Sequence, residues 1–137
     1  MTESKDLVTI TKTALRIAAG AAYFTHGAQK LLGWFGGFGD AGTAELMSRF
    51  GAAGIIETTA GALIVLGLLT RPFAFLASGE MAVAYFWMHV GGSGELFWWK
   101  NHGEVVMLFS FTFLYFAASG AGPHSVDGWL ARRRGGG

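Results

Sequence analysis

The sequence predicts an all-α membrane protein, an antiparallel bundle of four transmembrane helices. Composition is the first observation, because 52% of the 137 residues are hydrophobic, only 14% are charged and the mean hydropathy is +0.42. Soluble domains carry about 25% charged residues, so these values favour a membrane protein. The second observation is that four long apolar stretches nearly fill the chain. A soluble bundle is the minor alternative, since Arg16, Glu57 and Glu80 interrupt the stretches.

The four stretches are the predicted helices, and they cover residues 13–32, 51–69, 72–90 and 102–119. Each is close to the roughly 20 residues that a helix needs to cross the hydrocarbon core of a bilayer. Backbone polar groups in a bilayer must bond within the protein, which favours helices over open strands. We predict a single membrane domain over residues 1–137, ending in a basic tail at residues 129–137.

The link between the second and third stretches predicts a helical hairpin. It consists of little more than Thr70, Arg71 and Pro72. Proline is accepted in the first turn of a helix and disfavours helix at the residue before it. We therefore expect the second and third helices to be antiparallel neighbours.

Basic residues set the predicted orientation. Lys5, Lys12, Arg71 and residues 132–134 fall on one side of the four stretches. The other side carries only Arg49 and Lys100, with Lys30 near its boundary. Cytoplasmic segments are enriched in lysine and arginine, so both termini should be cytoplasmic. The first stretch is interrupted by polar residues and lacks a clear cleavage site, so we expect a retained span and not a signal peptide.

Net charge and cysteine content exclude several function classes. The net charge is +1, which gives no sign of a nucleic-acid partner. The chain has no cysteine, which excludes disulfides, thiolate metal sites and thiol redox chemistry within this subunit. A redox role would therefore need a bound cofactor.

Ionisable and polar residues gather at one end of the four predicted helices, the end away from the termini. Ionisable groups inside a membrane are costly and are therefore functional candidates. His26 and Lys30 are spaced i, i+4, as are Tyr85 and His89, so the members of each pair share a helix face. The candidate ligand site comprises His26, Lys30, Glu57, Tyr85, His89, His102 and Glu104.

This cluster has more than one interpretation. Glu57 and Glu104 offer negative charges to Lys30, so the cluster could simply pair helices. Three histidines at one level could instead handle protons or bind a ligand. No HxxxH or CxxCH spacing is present, so we predict no metal site and no haem.

A second polar pair is predicted nearer the cytoplasmic side. Arg16 and Glu80 fall in the inner halves of the first and third helices, where a structural ion pair between them is feasible. Glu80 and His89 are nine residues apart, which places them on opposite faces of an α-helix. We therefore expect Glu80 to lie outside the ligand site.

Five motifs in order make the chain resemble the DoxX family of small bacterial four-helix membrane proteins. They are Arg16 with His26-Gly27-xx-Lys30; residues 54–57 with Gly61; residues 66–72; residues 101–104; and residues 120–127. The last resembles a closing GPG-xx-S-x-D pattern, in which Ala121 replaces the first proline. The resemblance implies a multi-pass protein of the bacterial inner membrane. It also implies an association with quinone-linked sulfur oxidation, as in the small subunit of a thiosulfate:quinone oxidoreductase, although many relatives have no assigned activity.

These observations lead to one leading hypothesis and two alternatives. The first is a membrane subunit of an oxidoreductase system with a quinone site near the outer face. In it His26 and Lys30 donate hydrogen bonds, and Glu57 and Glu104 accept protons or pair charges. The alternatives are a non-catalytic accessory subunit of a larger membrane complex, and a small transporter or proton-conducting protein. The sequence leaves open whether the chain is an enzyme, which substrate and partners it has, and whether it forms a homo-oligomer.

Overall fold

The computed structural model describes residues 2–40 and 42–135, and none of these residues is in a β-strand. The predicted all-α class is therefore confirmed. The helices are α1 (Thr2–Leu32), α2 (Arg49–Leu66), α3 (Thr70–Ala84), α4 (Gly91–Ser93), α5 (Trp98–Asn101), α6 (Glu104–Ser119) and α7 (Val126–Gly135). A π-helical segment, Tyr85–Val90, continues α3 without a break.

Four long helices form the body of the molecule. Helix α1 packs along α2, α3 packs along α6, and α2 contacts α3, whereas α1 and α6 touch at few places. The core contains Tyr23, Ile64, Phe113 and Phe116, surrounded mainly by alanines. Small side chains bring helix backbones close together, which is typical of helix packing in membranes.

Helix ends differ from the predicted spans at several places. Helix α1 begins eleven residues before residue 13, because a polar segment continues the helix beyond its apolar part. Helix α2 ends at Leu66 and not at residue 69, since Gly67 takes a left-handed conformation with φ of 68°. The Leu68 amide then donates to the Leu63 carbonyl, which closes a Schellman cap. The connection to α3 is therefore Gly67–Leu69.

The predicted basic tail is helical over most of its length. Residues 129–135 belong to α7, and residues 136–137 lie outside the described part of the chain. Ser125 caps this helix, because its Oγ accepts a 3.0 Å hydrogen bond from the Gly128 amide.

The four long helices give the molecule two ends, the hairpin end and the site end. At the hairpin end, α2 joins α3 and α6 is followed by α7. At the site end, α1 ends, α2 begins, the π-helical segment ends and α6 begins. Within the described residues, α2 is the one helix long and apolar enough to cross a membrane, and α6 is apolar but shorter.

Candidate functional site

A cavity of about 470 Å³ lies between the four long helices near the site end. Most of its wall is apolar or aromatic, and it includes Tyr23, Phe50, Trp87 and Phe109. Its ionisable lining residues are His26, Lys30, Arg49, Glu57, Glu80 and His89. Ligand pockets in proteins typically have volumes of about 300–1,000 Å³, with mainly apolar walls and a few polar groups. The cavity has these properties.

Lys30 and Glu57 form an ion pair in the cavity wall. Lys30 Nζ lies 2.6 Å from Glu57 Oε1, and the Glu57 side chain is only 3% exposed. Glycine makes this approach feasible, because a Cβ added at Gly54 would lie 3.0 Å from the Lys30 Cβ. Helix α1 supplies His26 one turn before Lys30, and both side chains line the cavity. The pair thus connects α1 to α2 beside open space.

A second carboxylate, that of Glu80, lies in the same cavity wall. The fully buried Tyr23 hydroxyl donates a 2.9 Å hydrogen bond to Glu80 Oε2. The Tyr23 ring packs against Phe113, with 4.8 Å between the ring centroids, and against Phe109. Tyr23 therefore fixes Glu80 relative to α1, and two carboxylates from two helices face one cavity.

The predicted ion pair between Arg16 and Glu80 is wrong. The Arg16 guanidinium lies at the hairpin end and donates to three backbone carbonyls: Ile64 at 2.6 Å, His124 at 2.8 Å, and Val65. The last carbonyls of a helix have no partner within the helix, and its C-terminus attracts cations. The end of α2 therefore binds Arg16, and Glu80 accepts a hydrogen bond from Tyr23 instead.

The π-helical segment brings His89 into the cavity. A π-helical turn holds about one more residue than an α-helical turn, so His89 is rotated by roughly 100° from its position on a continuous α-helix. Glu80 and His89 consequently line the same cavity, and the expectation of opposite faces is wrong. His89 Nδ1 lies 3.0 Å from the Asn101 carbonyl oxygen. A carbonyl only accepts, so Nδ1 carries the proton and a neutral ring has Nε2 free to accept.

Three of the seven predicted site residues do not line the cavity: Tyr85, His102 and Glu104. The Tyr85 hydroxyl donates a 2.6 Å hydrogen bond to the Leu96 carbonyl. His102 is exposed and takes a left-handed conformation with φ of 58°, which turns the chain before Glu104 begins α6. The Glu104 side chain is exposed. The structure therefore groups His26, Lys30, Glu57 and His89 in the cavity wall. Tyr85 lies outside the cavity but stacks with the His89 ring, with 6.5 Å between the ring centroids, whereas His102 and Glu104 are exposed.

Buried Asn101 organises this site-end loop. Its side-chain amide donates a 2.9 Å hydrogen bond to the Glu95 carbonyl, and its side-chain oxygen accepts a 2.8 Å hydrogen bond from the Gly103 amide. With its own carbonyl bonded to His89, Asn101 connects the loop to the π-helical segment.

Three polar residues of the cavity wall, Tyr23, Arg49 and Glu80, are absent from the predicted site. Tyr23 precedes His26 by one helical turn, so the i, i+3 spacing could have identified it. Arg49 follows Ser48, which caps α2, and its guanidinium lies 5.0 Å from the centroid of the Trp87 ring. Glu80 was excluded by the assumption of a regular helix. Within residues 2–40 and 42–135, no three His, Cys, Asp or Glu side chains are grouped as metal ligands.

Comparison with known proteins identifies relatives. A family model described as DoxX matches residues 11–90. A protein of Haemophilus influenzae, described as uncharacterized, is 43% identical over 118 residues, which cover 82% of this chain and 85% of that protein. No solved structure matches the chain significantly.

Proposed function

Because this chain belongs to the DoxX family, which is membrane-associated, we propose that it is a multi-pass protein of the bacterial inner membrane. The exposed surface supports this proposal. Phe75 on α3 and Phe111 on α6 are 67% and 65% exposed, and Val83 is 56% exposed. A surface of this kind is favourable in hydrocarbon and unfavourable in water.

Charge distribution supports cytoplasmic termini for the four-span bundle. Lys12 and Arg71 bond carbonyl oxygens at the end of α6, so both lie at the hairpin end. The three arginines of α7 follow that same end of α6. By the preference for basic residues on the cytoplasmic side, the hairpin end is cytoplasmic and the cavity lies nearer the outer face.

The ligand that we propose for the cavity is the ring of a quinone. Aromatic and aliphatic walls suit a flat apolar ring, and the ring carbonyls need hydrogen-bond donors, which His26 and Lys30 supply. A quinol hydroxyl needs acceptors, which Glu57 and Glu80 supply. Glu80 takes the role predicted for Glu104, because Glu104 does not line the cavity. The observation that carries this proposal is the convergence of two fixed carboxylates, Lys30 and His26 in one apolar cavity.

In this proposal the protein acts as the quinone-binding membrane subunit of an oxidoreductase system. Converting a quinone into a quinol requires two electrons and two protons. The chain has no cysteine, so we assign the supply of electrons to an associated redox subunit. This chain would hold the ring and provide the groups that exchange protons with it.

Binding of a quinone without a tail tests the proposal. The protein would be reconstituted in lipid nanodiscs, and the affinity for a radiolabelled dimethoxy-methyl benzoquinone would be measured after subtraction of empty nanodiscs. We expect saturable binding that weakens by at least about tenfold in Ala84→Phe, because the phenyl group would occupy the cavity. Glu45→Gln, at an exposed position that does not line the cavity, is the control. Absence of saturable binding to the unaltered protein would overturn the proposal.

A non-catalytic accessory subunit is the second candidate. The observation that favours it is an exposed aromatic segment at the site end, in which Phe97, Trp98 and Trp99 are each more than 40% exposed. Native mass spectrometry on protein extracted from its own membrane separates the two candidates. A quinone-sized adduct supports the binding role, whereas a larger assembly without the adduct supports the accessory role.

A further inference from the structure

A second, apolar groove lies between α1 and α6 next to the polar cavity. It has a volume of about 280 Å³ and is lined by Leu15, Ala19, Val105, Leu108, Phe109 and Thr112. Among the lining residues that the structure describes, Thr112 alone has a polar side chain. Val105 and Phe109 also line the polar cavity, so the two spaces share a wall.

The groove is open on the side that faces away from the molecule. Leu15, Val105 and Leu108 are 47%, 55% and 60% exposed. Of the neighbouring pairs of long helices, α1 and α6 make the least contact. Lys12 connects them at the hairpin end through the Ser119 carbonyl, and the Phe109 ring contacts Tyr23 and His26 near the cavity. Between these two contacts the helices leave a lateral opening at the depth of the proposed bilayer.

We propose that this groove holds the hydrocarbon tail of the ligand whose ring occupies the polar cavity. The inference rests on the proposed function, because it requires a ligand with a polar ring and one apolar tail. Adjacency is the reason for choosing this occupant: Val105 and Phe109 line both spaces, so a tail that crosses these two side chains passes from the polar cavity into the groove. The ligand class is thus a membrane-resident, long-tailed quinone whose tail lies between α1 and α6.

Steric fit, and not extra hydrophobic energy, is the role of the groove. Lipid chains are as apolar as the side chains of the groove, so the tail gains little by leaving the bilayer. If the groove is blocked, the tail cannot extend into it from the ring, and the attached ring cannot bind in the polar cavity. A ring without a tail would be unaffected, because it needs only the polar cavity.

Two variants that fill the groove test this inference. Ala19→Phe and Thr112→Phe place a phenyl group in the groove from opposite walls, and Ala21→Phe places one at an exposed position of α1 that lines neither space. The probes are the tailless benzoquinone and the same ring with a decyl tail, measured in nanodiscs as above. We expect both groove variants to bind the tailless ring within about twofold of the unaltered protein. Affinity for the decyl compound should fall by at least about tenfold, and Ala21→Phe should bind both normally.

Each other result has a distinct meaning. If the groove variants bind both compounds as the unaltered protein does, the groove does not hold the tail, and the proposed function stands. If both groove variants lose affinity for the two compounds equally, the inference is also overturned, because the groove would then affect binding of the ring. Failure of the unaltered protein to bind the tailless ring removes the proposed function, and this inference with it. Because Ala19 is buried and its replacement could disturb packing, Thr112→Phe decides if Ala19→Phe does not fold.

Discussion

Lys30 Nζ lies 2.6 Å from Glu57 Oε1, and this ion pair joins α1 to α2 in the wall of the cavity. The exposed fractions of the two side chains, 16% for Lys30 and 3% for Glu57, show that the pair is largely shielded from solvent. A buried pair stabilises a protein little compared with apolar residues of the same size, but removing one partner leaves a buried charge without compensation. The position of this pair beside open space supports the proposed ligand site, since apolar residues of the same size would stabilise the helix contact as well.

The first prediction concerns removal of one charge of this pair. Lys30→Met should lower the free energy of unfolding in detergent by about 3–5 kcal/mol, because it leaves the Glu57 carboxylate buried without its partner. Adding Glu57→Leu to Lys30→Met should restore most of the stability. The double variant should nevertheless fail to bind the tailless quinone. Denaturant titration followed by circular dichroism measures the first effect.

Lys100 provides the matched control for this experiment. Its ammonium group lies 3.3 Å from Glu95, but the two side chains are 53% and 47% exposed. Lys100→Met should therefore cost no more than about 1 kcal/mol. Similar losses for Lys30→Met and Lys100→Met would show that the Lys30–Glu57 pair is not shielded as the structure has it.

Glu57→Gln tests the same pair by function. The substitution keeps the size of the side chain and removes its negative charge, so proton exchange with a quinol hydroxyl should be impaired while assembly is retained. The measurement is quinone turnover in the protein's own membranes, which would contain the proposed oxidoreductase system, with assembly followed by detergent extraction and size-exclusion chromatography. Unchanged turnover would remove Glu57 from the mechanism.

A further prediction concerns Tyr23 and Glu80. Tyr23→Phe deletes the hydroxyl that donates to Glu80, and we expect a loss of about 1.5–3 kcal/mol in the free energy of unfolding. Tyr115→Phe, on the exposed side of α6, should change it by less than about 0.5 kcal/mol. In a double-mutant cycle with Glu80→Leu, which removes the acceptor, the two positions should couple by at least about 1 kcal/mol. Additive effects would show that the hydrogen bond contributes nothing.

The apolar helices could be predicted from the sequence, whereas their ends could not. Four stretches of sufficient length locate α1, α2, α3 and α6, because a continuous apolar run has few other stable conformations. The end of α2 depends on one residue, Gly67, which adopts a left-handed conformation inside an apolar run. Helix α7 depends on the Ser125 cap in a segment without an apolar face. Neither feature changes hydropathy, so a hydropathy pattern does not detect it.

The candidate site was predictable only where helices are regular. Spacing placed His26 and Lys30 on one face, and both line the cavity. The π-helical segment, Tyr85–Val90, changes the rotation of the residues after Ala84, and a regular helical repeat does not anticipate this change. The binding partner of Arg16 could not be predicted from charge either. Arg16 and Glu80 have opposite charges, but the guanidinium of Arg16 bonds the carbonyls at the end of α2. Exposed Glu104 shows that a shared level along the helices does not ensure a shared cavity.

Arg16 should be irreplaceable by lysine. Its guanidinium bonds the carbonyls of Ile64, Val65 and His124, so it ties the end of α2 to the segment before α7. One ammonium group lacks the planar fork that reaches three acceptors at once. Arg16→Lys should therefore increase amide hydrogen exchange over residues 120–128 and lower the thermal midpoint by several degrees. Arg71→Lys is the control, because among residues 2–40 and 42–135 that exposed side chain bonds the carbonyls of Ala117 and Ala118, both in α6. An equal effect there would contradict the assigned role of Arg16.

Close packing of α1 against α2 depends on Gly61, and one added methyl group tests it. A Cβ at this position would lie 2.6 Å from the Phe24 backbone nitrogen, which side-chain movement cannot relieve. Gly61→Ala should therefore separate the two helices, lengthen the Lys30–Glu57 contact and cost about 1–3 kcal/mol of unfolding free energy. Gly79→Ala makes the same change on α3, where nothing lies within 4 Å of the added Cβ. Since alanine is the better helix former by about 1 kcal/mol, Gly79→Ala should be neutral or stabilising. Denaturant titration of the two variants beside the unaltered protein decides the matter, and a Gly61→Ala protein as stable as Gly79→Ala would contradict the close approach of α1 and α2.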